Sequence, residues 1–441
     1  MRRMWMLLLV LTMLLCTGCA MRTADELYRL PKRSEEYNDL QAAMDAAMYG
    51  LEYSAPISGD NQQTVQMADL DGDDEQEALL FARTADSKQL RILVFSMVDE
   101  RYQVTATLET PGSVFEQVDY VPMDQEPGLE IVVGSRVSDS VQKALTVFGY
   151  RENGFQQLSP ANYSYTKYLT CDLDSDGSVE LFVLRPGMSE VDAGVAVWSR
   201  YVNGTFENST EVNTSEPLDH LKRLMAGSLA GDIPGIYVAS AVGEDAILTD
   251  VFALVGGKLT NITLSNDSGT SVETLRNYYV YGDDIDNDGI MELPDLVPLL
   301  DFSGEEADGR QSLIRWYAMT IQGAKLYKLY TYHNFLEGWY MEIEKGWVGG
   351  LGAVQTDEGS VEFYLREQPD DPVKLLLSVQ LLTGDNRSAE AAEDNRIVLA
   401  KTDTVVYAAT LEPAASELGL TRENLADRFH LIYMDWKTGE T

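Results

Sequence analysis

Histidine and cysteine are scarce in this chain: 441 residues hold three of each. That leaves little material for zinc, haem or Cys–His nucleophilic chemistry. Basic residues are few as well. Against 71 Asp and Glu stand 33 Lys and Arg, a formal net charge of −38. A phosphate backbone would be repelled by such a chain, which excludes nucleic acid as a partner. The same field keeps the protein off an anionic membrane unless a covalent anchor ties it there. No P-loop, His-Glu-x-x-His or nucleophile elbow occurs. AGSLAG at residues 226–231 has the wrong spacing for an elbow, and GGLG from Gly349 lacks the last glycine of a dinucleotide loop. His220, His333 and His430 are scattered and read as core or surface residues. What is present is a globular composition, 45% hydrophobic, long enough for two domains.

Arg2 and Arg3 precede an apolar run over residues 4–16, too short to span a bilayer comfortably. It ends in Thr17-Gly18-Cys19-Ala20, small residues before a Cys. This resembles a bacterial lipobox, although Cys16 stands where Leu is usual and Leu15 lies one place earlier. The expectation is a signal peptide over 1–18, a lipid on Cys19 and attachment to the outer face of the cell membrane. An ordinary secretory signal is the alternative. Cys171 is then the one thiol left, so an intrachain disulfide is excluded. Residues 19–53 read as a tether with an amphipathic helix. Tyr37, Leu40, Ala43, Met44 and Met48 share one face, Ser34 is placed to cap it and Gly50 to stop it.

Three segments repeat the pattern D-x-D-x-D-x-x-x-E. They are Asp69, Asp71, Asp73 and Glu77; Asp172, Asp174, Asp176 and Glu180; and Asp284, Asp286, Asp288 and Glu292. A weaker copy keeps Asp124, Glu126 and Glu130, and a fainter one keeps Asp232 with Gly235 in the final position. Each copy runs into apolar strand material such as ALLFAR or LFVLRP. The final positions, 77, 130, 180, 235 and 292, are 50 to 57 residues apart. Within a unit, runs such as LEIVVGSRV, KALTVFGYR and GFQQLSPANYS alternate with polar turns and read as strands. Four strands in about 50 residues is the size of a propeller blade.

Carboxylates on alternate residues of a tight loop, closed by a Glu, form an all-oxygen site for a hard cation. Many flexible oxygen ligands favour calcium over magnesium. Without a cation these carboxylates would raise each other's pKa. Gly177 and Gly289 stand at position six, where the loop turns sharply, and the first copy has Asp74 there. An EF-hand needs its last ligand at position twelve. That position is Leu80 and Val183 in the first two copies, and Asp295 in the third, which stays ambiguous.

ADLDGDDEQEALLF, CDLDSDGSVELFVL and DDIDNDGIMELPDL resemble FG-GAP/VCBS-type repeats. The resemblance implies a β-propeller with calcium in its loops. With the lipobox and tether it also resembles surface lipoproteins of Gram-positive bacteria, with no enzymatic activity implied. The expected fold class is therefore mainly β: a propeller of about five four-stranded blades over 54–333, then a small α+β domain over 334–441. Strands from the carboxy-terminal region completing a sixth or seventh blade are the alternative. In that region VEFYL, VKLLLSVQLL and RIVLAK read as strands, and SAEAAED and TRENLADRF, capped by Thr421, as helices. Residues 357–362 read as a hairpin turn and not as a further acidic loop.

The function expected is a lipid-anchored, calcium-stabilised binding or scaffold module whose partner is a surface protein, a cell-wall polymer or a glycan. An extracellular polysaccharide lyase or glycosidase with a site in the propeller funnel is the alternative, and a structural role in an envelope complex a third. Aromatics crowd residues 278–340, including Trp316, Tyr317, Tyr327, Tyr330, Tyr332 and Trp339. They read as core packing, with a glycan-stacking platform as the other reading.

Overall fold

The computed structural model describes residues 35–136, 143–152, 154–159, 163–189, 191–278, 280–302, 311–357, 359–393 and 395–433. The leader, Cys19 and Ser34 lie outside the described residues. Among these residues, no helix is long and apolar enough to cross a membrane.

Among the described residues, six antiparallel sheets follow one another. The first holds β1 (Leu51–Tyr53), β2 (Val65–Ala68), β3 (Glu77–Thr84), β4 (Leu90–Val98) and β5 (Arg101–Thr110). The second holds β6 (Val114–Val121), β7 (Glu130–Arg136), β8 (Lys143–Arg151), β9 (Gly154–Gln157) and β10 (Tyr163–Tyr165). The third is β11 (Lys167–Cys171), β12 (Glu180–Arg185), β13 (Val195–Val202), β14 (Thr205–Asn208) and β15 (Val212–Asn213). The fourth is the four-stranded meander of β16 (Leu221–Leu229), β17 (Ile233–Val242), β18 (Ala246–Val255) and β19 (Lys258–Asn261). The fifth takes β20 (Glu292–Pro298), β21 (Ser312–Met319), β22 (Lys325–Asn334) and β23 (Trp339–Ile343). The sixth is formed by β24 (Leu351–Gln355), β25 (Ser360–Leu365), β26 (Lys374–Leu382), β27 (Arg396–Lys401) and β28 (Val406–Leu411). The chain then returns, and β29 (Phe429–Leu431) pairs with β23 at the edge of the fifth sheet.

The burial of each strand follows from its place in its sheet. β3, an inner strand, reads EALLFART and is buried at its first six positions. Neighbours cover both its faces, so both sets of alternating side chains must be apolar. β5, at the edge, reads RYQVTATLET and is mostly exposed or half-buried. Successive sheets share cores. Phe81 and Phe115 meet edge to face at 5.1 Å between the first and second. Val132 and Val183 belong to the core between the second and third. Phe182, one residue from Val183 and therefore on the opposite face, meets Phe252 of the fourth at 5.3 Å. Tyr237 and Leu293 join the fourth to the fifth, and Tyr332 meets Phe363 at 4.9 Å between the fifth and sixth.

Among the described residues, no hydrophobic cluster joins the first sheet to the sixth. The outer face of the first sheet is covered instead by the helix Glu35–Ala47, whose Leu40, Ala43 and Met44 pack with Leu80, Phe95 and Tyr102. The helical face expected from the sequence therefore packs on the next element, although Tyr37 is 45% exposed.

Five blades over 54–333 and an α+β module after them were expected; among the described residues five sheets run to Ile343 and the sixth, Leu351–Leu411, falls in the range of that module. Residue 333, where the boundary was expected, lies within β22, and β29 pairs the carboxy-terminal region with the fifth sheet. The sixth sheet lacks an acidic loop, so the repeat gave no sign of it. Where a hairpin turn was expected, β24 pairs with β25 and the Thr356 N–H donates to the Ser360 carbonyl at 2.8 Å, residue 358 lying outside the described residues. Of the helices, Arg422–Asp427 starts at Thr421 with a full capping box to Asn424, Arg387–Glu390 is one short turn, and Pro413–Glu417 was not foreseen.

Trp339 is fully buried in the core shared by the fifth and sixth sheets. Trp339→Ala is expected to destabilise the protein by about 3–5 kcal/mol. Tyr49→Ala, at a residue 97% exposed, should stay within about 0.5 kcal/mol. Thermal and denaturant melts of both variants check the difference.

Candidate metal centre

Each acidic loop occupies the same place. Residues 69–76 join β2 to β3, 122–129 join β6 to β7, and 172–179 join β11 to β12. Residues 284–291 lead into β20, where Asp283 bridges to Glu292. The glutamate at position nine is in every case the first residue of the following strand, and it is buried: Glu77, Glu130, Glu180 and Glu292.

One carboxylate oxygen of each glutamate is tied to its own loop. Oε2 accepts the backbone N–H of position two: Leu70 at 2.9 Å, Met123 at 2.9 Å, Leu173 at 2.9 Å and Ile285 at 3.2 Å. The first aspartate accepts further amides. Asp172 takes those of Asp176 and Gly177, Asp284 those of Asp288 and Gly289, and Asp69 those of Gly72 and Asp74. Position six has positive φ throughout: Asp74 +69°, Gly177 +90° and Gly289 +86°. Position four does too, with Gly72 +76°, Ser175 +61° and Asn287 +57°. This second left-handed residue was missed in the sequence because its identity varies. At Gly72 glycine is required: a Cβ would lie 2.2 Å from Pro127 of the second loop.

The result is convergence. Asp172, Asp174, Asp176 and Glu180 each bring one carboxylate oxygen within 4.8 Å of the others, and Asp284, Asp286, Asp288 and Glu292 do the same. In the first loop Asp69, Asp71 and Glu77 converge, and Asp73 is not part of the group. Asp73 accepts the Glu75 N–H at 2.8 Å, as Asp176 and Asp288 accept those of Ser178 and Ile290. These clusters could hold a metal ion. Asp295, which left the third loop open to an EF-hand reading, lies within β20 and pairs with Arg315. All three loops are followed by strands, and the position-nine glutamate closes each.

The electrostatics express the same crowding. Burial, followed by the charges of Asp71 and Asp73, pushes Glu77 up to about 7. Burial and the neighbouring Asp174 and Asp172 push Glu180 up to about 7. Glu292 rises to about 8 through burial and the charges of Asp286 and Asp288. Its Oε1 is buried with no hydrogen-bond partner.

The weaker copy at 122–129 has a cation of its own. Arg151 Nη2 donates to Asp124 Oδ2 at 2.7 Å and to Glu130 Oε1 at 3.0 Å. The guanidinium thus takes the oxygens that face the cluster in the other loops, and position one is Pro122, which offers no carboxylate. The third loop has a weaker counterpart. Lys328 hydrogen-bonds Asp288 and lies 3.9 Å from both Asp286 and Glu292. In the fourth sheet the loop is a short turn between Leu229 and Ile233. Asp232 is exposed there with φ +57°, and Gly235 lies inside β17 opposite Gly227.

The remaining chemistry-bearing residues stand apart from these loops or are quenched. Burial, with Glu180 and Asp172 nearby, pushes the Cys171 thiol up to about 12. His220 pairs with Glu216. Burial holds His333 down to about 3, and His430 pairs with Glu342.

No protein-family model matches the sequence, and no curated protein matches it. The resemblance to FG-GAP/VCBS-type repeats therefore rests on the loops themselves. Among solved structures the chain is similar to the crystal structure of a Lactobacillus plantarum protein, at 10% identity over 73% of this chain and 86% of that one, with a TM-score of 0.27. It is also similar to A. japonicus CB05, at 7% identity over 65% of this chain and 63% of that one, with a TM-score of 0.21. Scores this low carry nothing about fold or function.

A pH dependence follows for the ion-free protein. The three glutamates keep their protons to higher pH folded than unfolded, so the folded state binds more protons between the two pKa values. Their contribution to stability is full below about 4.5 and is lost as pH rises through about 7 to 8. Denaturant midpoints measured in chelator from pH 4.5 to 8.5 should show this fall, and Glu180→Gln should remove part of it. A profile equally steep in the variant would contradict the assignment.

Proposed function

We propose that the protein is a lipid-anchored, extracytoplasmic binding or scaffold module, built as a propeller-like series of sheets whose acidic loops are stabilised by calcium. The convergence of Asp172, Asp174, Asp176 and Glu180 on one point carries the metal reading. Four carboxylates within 4.8 Å repel one another strongly in the absence of a cation. The set is all oxygen, with anionic ligands spaced along a flexible loop, which suits calcium better than a small ion demanding octahedral geometry. The protein's own part is positional: backbone amides orient the aspartates, and the strand that follows fixes the glutamate. The ion supplies charge neutralisation and ties the end of one strand to the start of the next.

The binding role is supported by what the chain offers for chemistry. Its most regular acidic residues are engaged in loops, and its thiol and histidines are buried or paired. The anchor rests on the Thr17-Gly18-Cys19-Ala20 segment and would hold an acidic protein at a surface that repels it.

Calcium should raise the melting temperature of chelated protein, as expected for a ligand that binds only the folded chain; stabilisation reaches about 2.7 kcal/mol at a hundredfold excess over the dissociation constant. Asp174→Asn with Asp176→Asn should remove part of that response, and no response in the wild type would overturn the metal reading. Lys328→Met should tighten the third loop for calcium by about two- to fivefold by removing a competing cation, as read by calorimetric titration. In cells, Cys19→Ser should move the protein from the membrane fraction to the soluble one.

A further inference from the structure

We propose that the cavity between the fifth and sixth sheets is a binding site for a neutral carbohydrate. Its volume is about 570 Å3, within the range of small-molecule sites. It is built from the segment before the fifth sheet, from β20 and β21, from the end of β22 and the turn after it, and from the end of β24. Tyr278, Leu296, Ile314, Phe335 and Leu336 supply its apolar surface. Asn277, Gln311, Ser312 and Gln355 supply amides and a hydroxyl.

The lining is distinctive for what it omits. In a chain with 71 Asp and Glu, no carboxylate or ammonium among the described residues lines this cavity. His333 lies in its wall, and burial keeps that ring neutral. The contrast is with the larger cavity of about 730 Å3 beside the first acidic loop, which is lined by Asp71, Asp73, Glu75 and Glu77.

The mixture selects the ligand. A charged group would shed its hydration with no opposite charge to meet it. A wholly apolar group would strand the amides without partners. A sugar ring has a C–H face to lie on an aromatic ring and a rim of hydroxyls that both donate and accept. Side-chain amides answer in both senses, since each offers two donors and an acceptor. Asn277, Gln311 and Gln355 are exposed and free to turn toward such a rim.

The aromatic wall is also preformed. Tyr278 leans on Phe335 with ring centroids 5.4 Å apart. Behind Phe335 runs a column of rings: His333 at 5.2 Å, Tyr340 a further 4.8 Å on, and His430 a further 4.7 Å. Asn334 beside them is fixed by Glu337, its Nδ2 donating to Oε2 at 2.9 Å and its Oδ1 accepting the Glu337 N–H at 3.1 Å. A wall held in place spares the ordering cost of binding. The inference rests on the binding-module reading and names its ligand class; it requires neither the anchor nor calcium.

Calorimetric titration of the purified protein with cellohexaose, chitohexaose, maltohexaose and mannohexaose, against hexagalacturonate and a neutral leucine-rich peptide, tests it. At least one neutral hexasaccharide should bind, with hexagalacturonate at least about tenfold weaker, a difference of about 1.4 kcal/mol. Tyr278→Ala, at a residue 43% exposed, and Asn277→Ala with Gln311→Ala should each cost about tenfold or more without changing the melting temperature. Chelator should leave the affinity unchanged. Absence of binding by all four neutral sugars, equal binding of hexagalacturonate, wild-type affinity in the variants, or binding of the peptide alone would overturn the proposal. Failure here with a ligand still captured from the native cell surface removes only the sugar site. Failure to capture any ligand there removes the binding-module reading as well.

Discussion

The structure depends on a glutamate placed where an acidic loop becomes a strand. Glu77, Glu130, Glu180 and Glu292 each stand at the first buried position of the strand that follows. One oxygen is spent on the loop's own backbone, which sets the loop's shape. The other is left facing a crowd of aspartates. Burying a carboxylate in that setting is costly unless a cation comes to it. The chain meets this demand in different ways. Arg151 supplies a guanidinium in the loop at 122–129, Lys328 leans into the one at 284–291, Arg200 lies 3.9 Å from Asp174 of the one at 172–179, and the clusters could hold a metal ion. In the fourth sheet the loop is shortened to a tight turn, and the demand does not arise.

The series of sheets imposes a second constraint. An inner strand covered on both faces needs apolar side chains at nearly every position, which is why EALLFA in β3 and ELFVL in β12 are buried throughout. Each sheet uses one face for the sheet before it and the other for the sheet after it. A series that does not close among its described residues has two ends to cover. At the first end the helix Glu35–Ala47 lays its apolar face on the first sheet. At the other, Ala415 and Leu425 of the short carboxy-terminal helices join the core of the sixth sheet. The same acidic loops also touch across sheets: the Leu129 N–H donates to the Asp69 carbonyl at 3.2 Å, and the Val179 N–H to the Pro122 carbonyl at 2.7 Å. The loops at 69–76, 122–129 and 172–179 thus form a connected band.

Much of this was legible in the chain. KALTVFGYR is β8 residue for residue, and the D-x-D-x-D-x-x-x-E pattern marks the loops that converge. These features are local. Alternating carboxylates in a tight turn face one way because successive residues must, and a continuous apolar run between turns has to be an inner strand. The amphipathic helix was legible for the same reason, since its period of three to four residues places one face inward wherever the helix lies.

The rest was decided by contacts between residues far apart in sequence. Asp73 follows the pattern of its loop, down to the backbone amide it accepts, yet it stands outside the cluster. Arg151 lies 21 residues from Glu130, and only the pairing of β7 with β8 brings the guanidinium to that carboxylate. The sixth sheet carries no acidic signature, and the return of β29 to the fifth sheet crosses the whole sixth sheet in sequence. The cavity between the fifth and sixth sheets draws its walls from five separate stretches of chain. The sequence alone determined which segments are strands, which turns gather acid and where the apolar helix runs, because neighbouring residues set those. Which charges found partners, how many sheets formed and what the surfaces between them enclose were left to the tertiary structure, because those depend on distances that open only when remote strands lie side by side.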